Sequence, residues 1–145
     1  MINFTKSTPP EAITKLLDEE KQKKAGTYRK PEIIEAVKNE FNNKCYLCEQ
    51  KDITSINIEH FKPHRGDKDL QFDWNNLFFA CMHCNNIKSD IYDEILNPSN
   101  EEDDVEAFIH YSIRNLLKNS KVEIEAVDKN AKTIKTVELL NAIYR

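Results

Sequence analysis

Apolar residues recur at helical spacing near both ends of the chain and alternate with polar residues in the middle. The run Thr8-Pro9-Pro10-Glu11 is typical of a helix start, with Thr8 as N-cap and Glu11 completing a capping box. It predicts a first helix from Pro9 to about Lys24. Two further helices are predicted, one that begins at Pro31 and has Ile34, Val37 and Phe41 on one stripe, and one over Thr133–Arg145 that carries Ile134, Val137, Leu140 and Tyr144.

The middle of the chain predicts a strand, a loop, a second strand and a helix. Ile53–Phe61 alternates isoleucines with polar residues, which favours a strand with one buried face. Lys62–Asn76 is polar and contains proline and glycine, as a long loop does, and Leu77–Ala80 is a short apolar strand. Asn85–Leu96 has isoleucines four residues apart and predicts a helix with one apolar side. We expect the two strands to pair as an antiparallel hairpin.

Two segments outside this middle region have less decisive patterns. Lys21–Lys30 contains five basic residues and no acid, with Gly26 as a natural break between helices. We predict a solvated linker there, and phosphate contact is the alternative. Beyond Pro98, Phe108–Ile113 fits either a helix or a strand, whereas Lys121–Val127 alternates as a short strand does.

Composition narrows the class of protein. A chain of 145 residues with 39% hydrophobic content suits one domain with a modest core. No run approaches the length of a membrane span and no export signal is evident, so we expect a cytoplasmic protein that does not enter the membrane. The net charge of −4 argues against a protein that coats nucleic acid by bulk attraction.

The cysteines form two Cys-x-x-Cys pairs, Cys45 with Cys48 and Cys81 with Cys84, separated by 32 residues. Two such knuckles close one tetrahedral zinc site. In a reducing compartment, paired knuckles are more typical of metal ligands than of disulfides, and the presence of only two glycines does not suit a loop-rich disulfide scaffold. We therefore predict one structural Zn²⁺ held by four thiolates.

Between and directly after the cysteine pairs lie Glu59-His60, Asn76-Leu77 and Asn85. These residues resemble the three motifs of the HNH endonuclease family, in the HNN branch that has asparagine at the last position. The resemblance implies the ββα-metal fold, which has the predicted order of elements. We therefore expect an α+β fold in which residues 1–145 form a single HNH nuclease domain. Its parts are a helical arm at 1–43, a zinc-stapled ββα-metal core at 44–97 and an accessory or docking region at 98–145.

The resemblance also implies roles for individual residues. His60 is the expected general base, since an imidazole with an ordinary pKa of about 6.5 is largely neutral near neutral pH. Glu59 and Asn85 are expected to bind one Mg²⁺ or Mn²⁺ through oxygen. Because neighbouring strand residues point to opposite faces, Glu59 and His60 can share a site only if the strand ends there. Asn76 is expected to fix the loop beneath His60, with a plain turn-forming role as the alternative.

Three cations are placed near these motifs and are candidates for phosphate contacts. Lys62 and Arg65 lie on the loop that follows His60, and Lys88 lies one predicted helical turn beyond Asn85. Solvated side chains explain all three equally well. Asp67, Asp69 and Asp73 on the same loop offset much of its positive charge.

A closer resemblance involves IEHFKPH, FDWNNLFFACMHCNNIKSD, ILNP and the terminal TIKTVELLNAIYR. These segments are similar to the HNH nuclease subunit of Septu-type and retron-linked phage-defence cassettes. The resemblance implies a nucleic-acid substrate, DNA or RNA, and an ATPase partner subunit. The predicted helices at Pro9–Phe41 and Thr133–Arg145 are the expected docking surfaces, although a core role for the apolar stripe of the latter is equally consistent with its pattern.

Two other functions retain the zinc site. A noncatalytic zinc-knuckle module that binds nucleic acid or protein remains open, because sequence alone does not show a competent catalytic site. A zinc deaminase requires His before Glu and a Pro-Cys start to its second knuckle. This chain has Glu59 before His60, and Ala80 before Cys81. Motif order therefore excludes the deaminase.

Overall fold

The computed structural model describes residues 1–114 and 121–145 and shows an α+β fold, as predicted. Two small antiparallel sheets are formed by β1 with β2 and by β3 with β4. The strands are β1 (Ile56–His60), β2 (Leu77–Cys81), β3 (Ile109–Arg114) and β4 (Lys121–Ala126). The helices are α1 (Glu11–Gln22), α2 (Pro31–Glu40), α3 (Lys68–Gln71), α4 (Met82–Lys88), α5 (Val105–Phe108) and α6 (Ala131–Ile143).

The β1–β2 hairpin lies at the centre of the molecule. Its register pairs Ile56 with Cys81 and His60 with Leu77, so the predicted antiparallel hairpin is confirmed. Every residue of β2 is buried. The ring of Phe78 packs 5.2 Å from that of Phe41 and 5.0 Å from that of Phe61, measured between centroids. An apolar run with no polar alternation is what a strand covered on both faces requires.

The helix that follows the hairpin is shorter than predicted. It begins directly after Cys81 and ends at Ser89, whose φ of 41° and ψ of −142° leave the helical region. The predicted helix over Asn85–Leu96 is therefore wrong beyond Lys88. The isoleucine spacing that suggested it does not mark a shared face, because Ile91 is 67% exposed whereas Ile95 is buried.

The N-terminal helices form as predicted, but the predicted cap does not. The N-cap of α1 is Pro10 and makes no side-chain hydrogen bond, so the capping box with Thr8 is wrong. Two prolines in succession fix an extended backbone, and the helix begins only after the second. Helix α1 buries Ile13 and Leu17, and α2 buries Ile33 and Val37.

The C-terminal part resolves the ambiguous segment: Phe108 ends α5 and the next residue begins β3. The strand predicted over Lys121–Val127 is confirmed as β4. Helix α6 packs on β4 and α4, and Leu140 is fully buried, whereas Ile134 is 42% exposed. Leu140 therefore belongs to the core and is not available as a docking anchor.

Among the described residues, no helix is long and apolar enough to cross a membrane.

Candidate active site and cysteine cluster

The four cysteines converge at one point beside the central hairpin. Their sulfur atoms all lie within 4.8 Å of one another, and the Sγ atoms of Cys48 and Cys81 are 3.9 Å apart. Sulfurs on a tetrahedral Zn²⁺, each about 2.3 Å from the ion, lie roughly 3.8 Å apart. Hydrogen bonds from neighbouring thiols, that of Cys45 first, lower the pKa of Cys48, whereas hydrogen bonds within the same cluster raise the pKa of Cys84, so without a cation the negative charge is held mainly by Cys48. The cluster has the chemistry and spacing of the predicted zinc site.

Backbone hydrogen bonds shape both knuckles. In the first, the amide of Cys45 donates to the Gln50 carbonyl over 3.0 Å and the amide of Glu49 donates to the Cys45 carbonyl over 2.9 Å. In the second, Cys81 is the N-cap of α4 and its sulfur accepts from the Cys84 amide over 3.4 Å. The second knuckle thus ends β2 and begins α4, which fixes the direction of the helix relative to the hairpin.

An open cleft of about 650 Å³ lies where β1 ends. It is lined by Glu59, His60, Pro63, His64, Arg65, Asn85, Asn86, Ser89 and Asp90. Glu59 and His60 are neighbours in sequence, yet both reach this cleft because β1 ends at His60. The cleft therefore brings together three of the four predicted catalytic residues, which are Glu59, His60 and Asn85.

Glu59 is buried, with 5% of its surface exposed. Its Oε1 accepts from the Tyr46 hydroxyl at 2.7 Å and lies 2.8 Å from the Lys88 Nζ. Its Oε2 is buried and has no hydrogen-bond partner among the described residues. Burial raises the pKa of Glu59, an effect that the ammonium of Lys88 opposes. The carboxylate thus has one oxygen fixed by protein groups and one buried oxygen without a partner among the described residues.

Lys88 does not lie where the sequence suggested. Its side chain is 1% exposed, and besides Glu59 its Nζ donates to the Phe61 carbonyl over 2.9 Å. A buried ammonium needs such partners because an unpaired charge is costly to remove from water. In this arrangement Lys88 holds α4 against the end of β1 and has no donor directed at a phosphate in the cleft.

His60 is held on several sides. Its Nε2 lies 3.0 Å from the Gln71 carbonyl. A carbonyl oxygen only accepts, so Nε2 carries the proton and Nδ1 of the neutral ring keeps its lone pair. The rings of Tyr28 and His64 each lie 4.6 Å from the imidazole, edge to face. Burial lowers the pKa of His60, which favours the neutral ring.

Asn76 connects the two ends of the loop between β1 and β2. Its Nδ2 donates to the carbonyls of Lys62 and Leu70, each over 2.9 Å, and its Oδ1 accepts from the Lys62 amide at 2.7 Å. Leu70 directly precedes Gln71, whose carbonyl holds His60. The side chain of Asn76 thus braces the backbone that orients the imidazole.

The other predicted residues differ in their surroundings. Asn85 is half-buried on α4 and lines the cleft. Lys62 is exposed. Arg65 is 65% exposed, and its guanidinium lies 2.9 Å from an oxygen of Asp93. Both loop cations are accessible to a ligand, although Arg65 is already paired.

Sequence analysis missed several groups that contact the predicted residues. Tyr46, which binds Glu59, lies inside the first knuckle, and its position between two cysteines is equally typical of a residue that only packs beside the zinc site. Tyr28, which contacts His60, lies in the basic run before α2, far from every motif. The carbonyl of Gln71 is a backbone group and leaves no signal in a residue pattern.

Residues 45–90 match the model of the HNH endonuclease family, so this part of the chain is an HNH domain. The chain is also similar to two curated proteins, each named Septu protein PtuB. The one from Bacillus mycoides (strain KBAB4) is 33% identical over 88 residues, which cover 50% of this chain and 30% of that protein. The one from Bacillus thuringiensis is 30% identical over 95 residues, which cover 61% of this chain and 37% of that protein. The chain thus spans about a third of the length of these relatives. No solved structure matches it.

The cysteine cluster predicts one Zn²⁺ per purified chain, because four thiolates complete one closed site. Elemental analysis measures the content. Cys45→Ser and Cys84→Ser should each lose the metal and lower the melting temperature severely, since a structural zinc contributes directly to folding. Wild-type protein stripped by a chelator is the control. If it melts at the same temperature as the metal-loaded protein, the zinc has no structural role.

The buried ion pair predicts that Lys88→Met destabilises the fold by about 3–5 kcal/mol, because it leaves the Glu59 carboxylate buried without its cation. Lys62→Met is the matched control and should change the free energy of unfolding by less than about 0.5 kcal/mol, since Lys62 is exposed. Urea unfolding measures both. If Lys88→Met and Lys62→Met have the same free energy of unfolding, Lys88 is solvated, which was the alternative that the sequence left open.

Proposed function

We propose that this chain is a metal-dependent nuclease that hydrolyses phosphodiester bonds of nucleic acid at the cleft beside His60. One observation carries the proposal. The imidazole of His60, whose Nε2 is engaged by the Gln71 carbonyl, shares one cleft with the unpartnered Oε2 of Glu59 and with the amide of Asn85. A base with a free lone pair beside hard oxygen donors is what this hydrolysis needs.

His60 is the proposed general base. Its Nδ1 accepts a proton from water as the oxygen attacks phosphorus, and the P–O bond to the leaving oxygen breaks. The imidazolium that forms keeps its Nε2–H on the Gln71 carbonyl, which stabilises the charge and prevents the ring from rotating. Asn76 acts one step away as a positioning residue, because it fixes the adjacent Leu70 carbonyl.

The oxygen donors fit a hard divalent cation, since Glu59 lines the cleft and its buried Oε2, which has no partner among the described residues, would gain one from such an ion. Glu59 and Asn85 would hold Mg²⁺ or Mn²⁺. When bound, that ion supplies charge neutralisation on the phosphate and on the leaving oxygen. The Oε1 contacts to Tyr46 and Lys88 keep the carboxylate oriented.

Lys62 and Arg65 are the proposed phosphate contacts on the loop after β1, because both are exposed. Arg65 lines the cleft, whereas Lys62 lies beside it in sequence and does not line it. We do not extend this role to Lys88, whose ammonium is occupied by Glu59 and by backbone carbonyls. DNA and RNA both contain a phosphodiester that this chemistry could cleave. The assay therefore uses both as substrates.

The test of the base is His60→Ala, which should lower the cleavage rate by a factor of about 10² to 10⁴ while zinc content and melting temperature stay as in wild type. The assay uses labelled DNA and RNA of one sequence with Mg²⁺ or Mn²⁺. His110→Ala is the matched control, because His110 is an exposed histidine on β3 and does not line the cleft; it should cleave as wild type does.

Cleavage by His60→Ala at the wild-type rate, in a preparation free of contaminating nuclease, would refute the assignment. Asn85→His separates the nuclease from a noncatalytic zinc-knuckle module. It introduces a common metal ligand and should retain activity with an altered preference among Mg²⁺, Mn²⁺ and Ni²⁺. A protein that binds the labelled nucleic acids and cleaves none of them, alone or with the partner proposed below, is the binding module.

We further propose that the chain is the cutting subunit of an anti-phage defence complex with an ATPase. The similarity to the two Septu proteins supports the defence role. The net charge of −4 supports dependence on a partner, because a nuclease that acts alone at physiological salt normally relies on a basic face to hold its substrate. The exposed Ile134 and Tyr144 at α6 offer apolar anchors for docking.

Coexpression with an ATPase encoded beside the gene tests this proposal. We expect copurification, together with phage protection that is lost in the His60→Ala variant. Ile134→Asp should weaken copurification without changing the zinc content, whereas Val127→Asp, at another exposed apolar position, should not. If the chain alone shows full nuclease activity and full phage protection and forms no complex, the proposed partner is wrong and the proposed nuclease function stands.

A further inference from the structure

The basic segment before α2 contacts the catalytic histidine, although it lies outside the part of the chain that matches the HNH model. Resting on the proposed nuclease function, we propose that Tyr28 and Arg29 belong to the same site. Tyr28 is a positioning residue that holds the His60 ring, and Arg29 binds a backbone phosphate of the nucleic acid next to the cleaved bond. Sequence analysis favoured a solvated linker here, with phosphate contact as the alternative.

The segment has a defined conformation. The buried carboxylate of Glu20 accepts from the Thr27 amide at 2.9 Å and pairs with Lys23 at 2.5 Å and Lys30 at 3.4 Å. Hydrogen bonding to Lys23, first among several causes, lowers the pKa of Glu20 to about 2, so the carboxylate is charged at neutral pH. A Cβ at Gly26 would lie 1.7 Å from the Glu20 carbonyl oxygen, so only glycine permits this close return of the chain.

The segment is also fastened to the loop that orients His60. The Nζ of Lys68 donates to the carbonyls of Lys21 and Lys23, over 3.1 and 2.7 Å. The Nζ of Lys21 in turn lies 2.5 Å from an oxygen of Asp69. Lys68 and Asp69 lie within three residues of Gln71, whose carbonyl holds the imidazole. The basic segment and the His60 loop are therefore positioned together.

Tyr28 supplies a contact that the loop does not. Its ring meets the His60 ring at 83°, with 4.6 Å between the centroids. The hydrogen bond at Nε2 fixes one edge of the imidazole, but the ring can still tilt about that bond unless its sides are packed. Tyr28 and His64 pack against it, and Tyr28 does so from a separate element. A missing ring there should misplace Nδ1 without removing it.

Arg29 is the exposed cation on this side of the site. Its guanidinium lies 5.6 Å from the centre of the Tyr28 ring, and no carboxylate among the described residues lies within ion-pair distance of it. Arg65 differs because Asp93 pairs with it, and Lys88 differs because it is buried with Glu59. Arg29 lies beside the site because it directly follows Tyr28, whose ring packs against His60.

An unpaired guanidinium on an aromatic ring is well suited to a phosphate, because it offers several donors in a fixed plane. In an acidic chain such a group matters more, since the overall charge does not attract nucleic acid. Arg29 and the loop cations Lys62 and Arg65 would then contact a substrate that passes over His60.

The test for Arg29 uses binding, which is independent of cleavage. Fluorescence anisotropy of labelled duplex DNA, single-stranded DNA and RNA is measured in the His60→Ala background over a range of salt. Arg29→Ala should weaken binding about three- to tenfold at roughly 0.1 M salt and reduce the salt slope by about 1. Lys24→Ala is the matched control. It also removes an exposed positive charge from this segment, and Lys24 does not pack against Tyr28 or His60.

The test for Tyr28 uses steady-state cleavage. Tyr28→Leu and Tyr28→Met should each lower kcat about tenfold with KM unchanged, and Tyr28→Phe should restore the wild-type rate, because the ring and not the hydroxyl touches His60. Melting temperature and zinc content verify that each variant is folded. Two variants without the ring guard against one that fails to fold.

The outcomes separate this inference from the proposed function. If Arg29→Ala binds as Lys24→Ala does, or if no probe binds the protein, the phosphate role of Arg29 is wrong. If the variants without the ring match Tyr28→Phe, the positioning role is wrong. Wild-type protein that binds these probes and cleaves none, both alone and with its ATPase partner, refutes the nuclease, and with it the role of Tyr28, but leaves the binding role of Arg29 standing.

Discussion

One buried ion pair, between Glu59 and Lys88, determines how the parts of the site meet. It joins the end of β1 to the last turn of α4, and both charges are almost fully removed from water. Such a pair is retained only when other groups satisfy the remaining hydrogen-bonding atoms. Tyr46 does so for one carboxylate oxygen, and the Phe61 carbonyl does so for the ammonium. The second carboxylate oxygen has no partner among the described residues, and Glu59 lines the same cleft as His60 and Asn85. The pair thus fixes the strand, the helix and a metal-ligand candidate with a single set of contacts.

The cysteine cluster supports this arrangement from the other end of the same elements. In the sequence, Tyr46 lies between Cys45 and Cys48, so the first knuckle carries the hydroxyl that orients Glu59. Cys81 ends β2 and caps α4, so the second knuckle sets where the helix starts. Loss of the cluster would therefore release both Tyr46 and α4. In a core this small, a cysteine cluster that fits a zinc ion and one buried pair add to the contacts that the apolar interior provides.

The features that sequence analysis predicted are those with a local cause. The strand at β1, the unbroken apolar run of β2 and the spacing of the cysteines each depend on neighbouring residues, and each appears in the structure. The expected alternating buried face of β1 is wrong, because Ile56 is 38% exposed and Glu59 is buried beside Ile58. The end of α4 was missed because Ser89 leaves the helix through its backbone conformation, with a positive φ that no side-chain pattern records. The environment of Lys88 was missed for a different reason. Burial of a lysine depends on a carboxylate 29 residues earlier in the chain, and spacing along one helix carries no information about it.

The cations around the cleft show why residue type alone could not define the substrate surface. Lys88, Arg65 and Arg29 are all basic residues close to His60, yet one is neutralised in the core, one is paired at the surface and one has no carboxylate partner within the described residues. Their difference arises from where Glu59 and Asp93 lie, which only the fold decides. In an acidic protein a few unpaired cations can mark a path for nucleic acid, because local field at short range outweighs net charge once the substrate is close. Long-range attraction still has to come from elsewhere, which is the physical reason for expecting a second subunit.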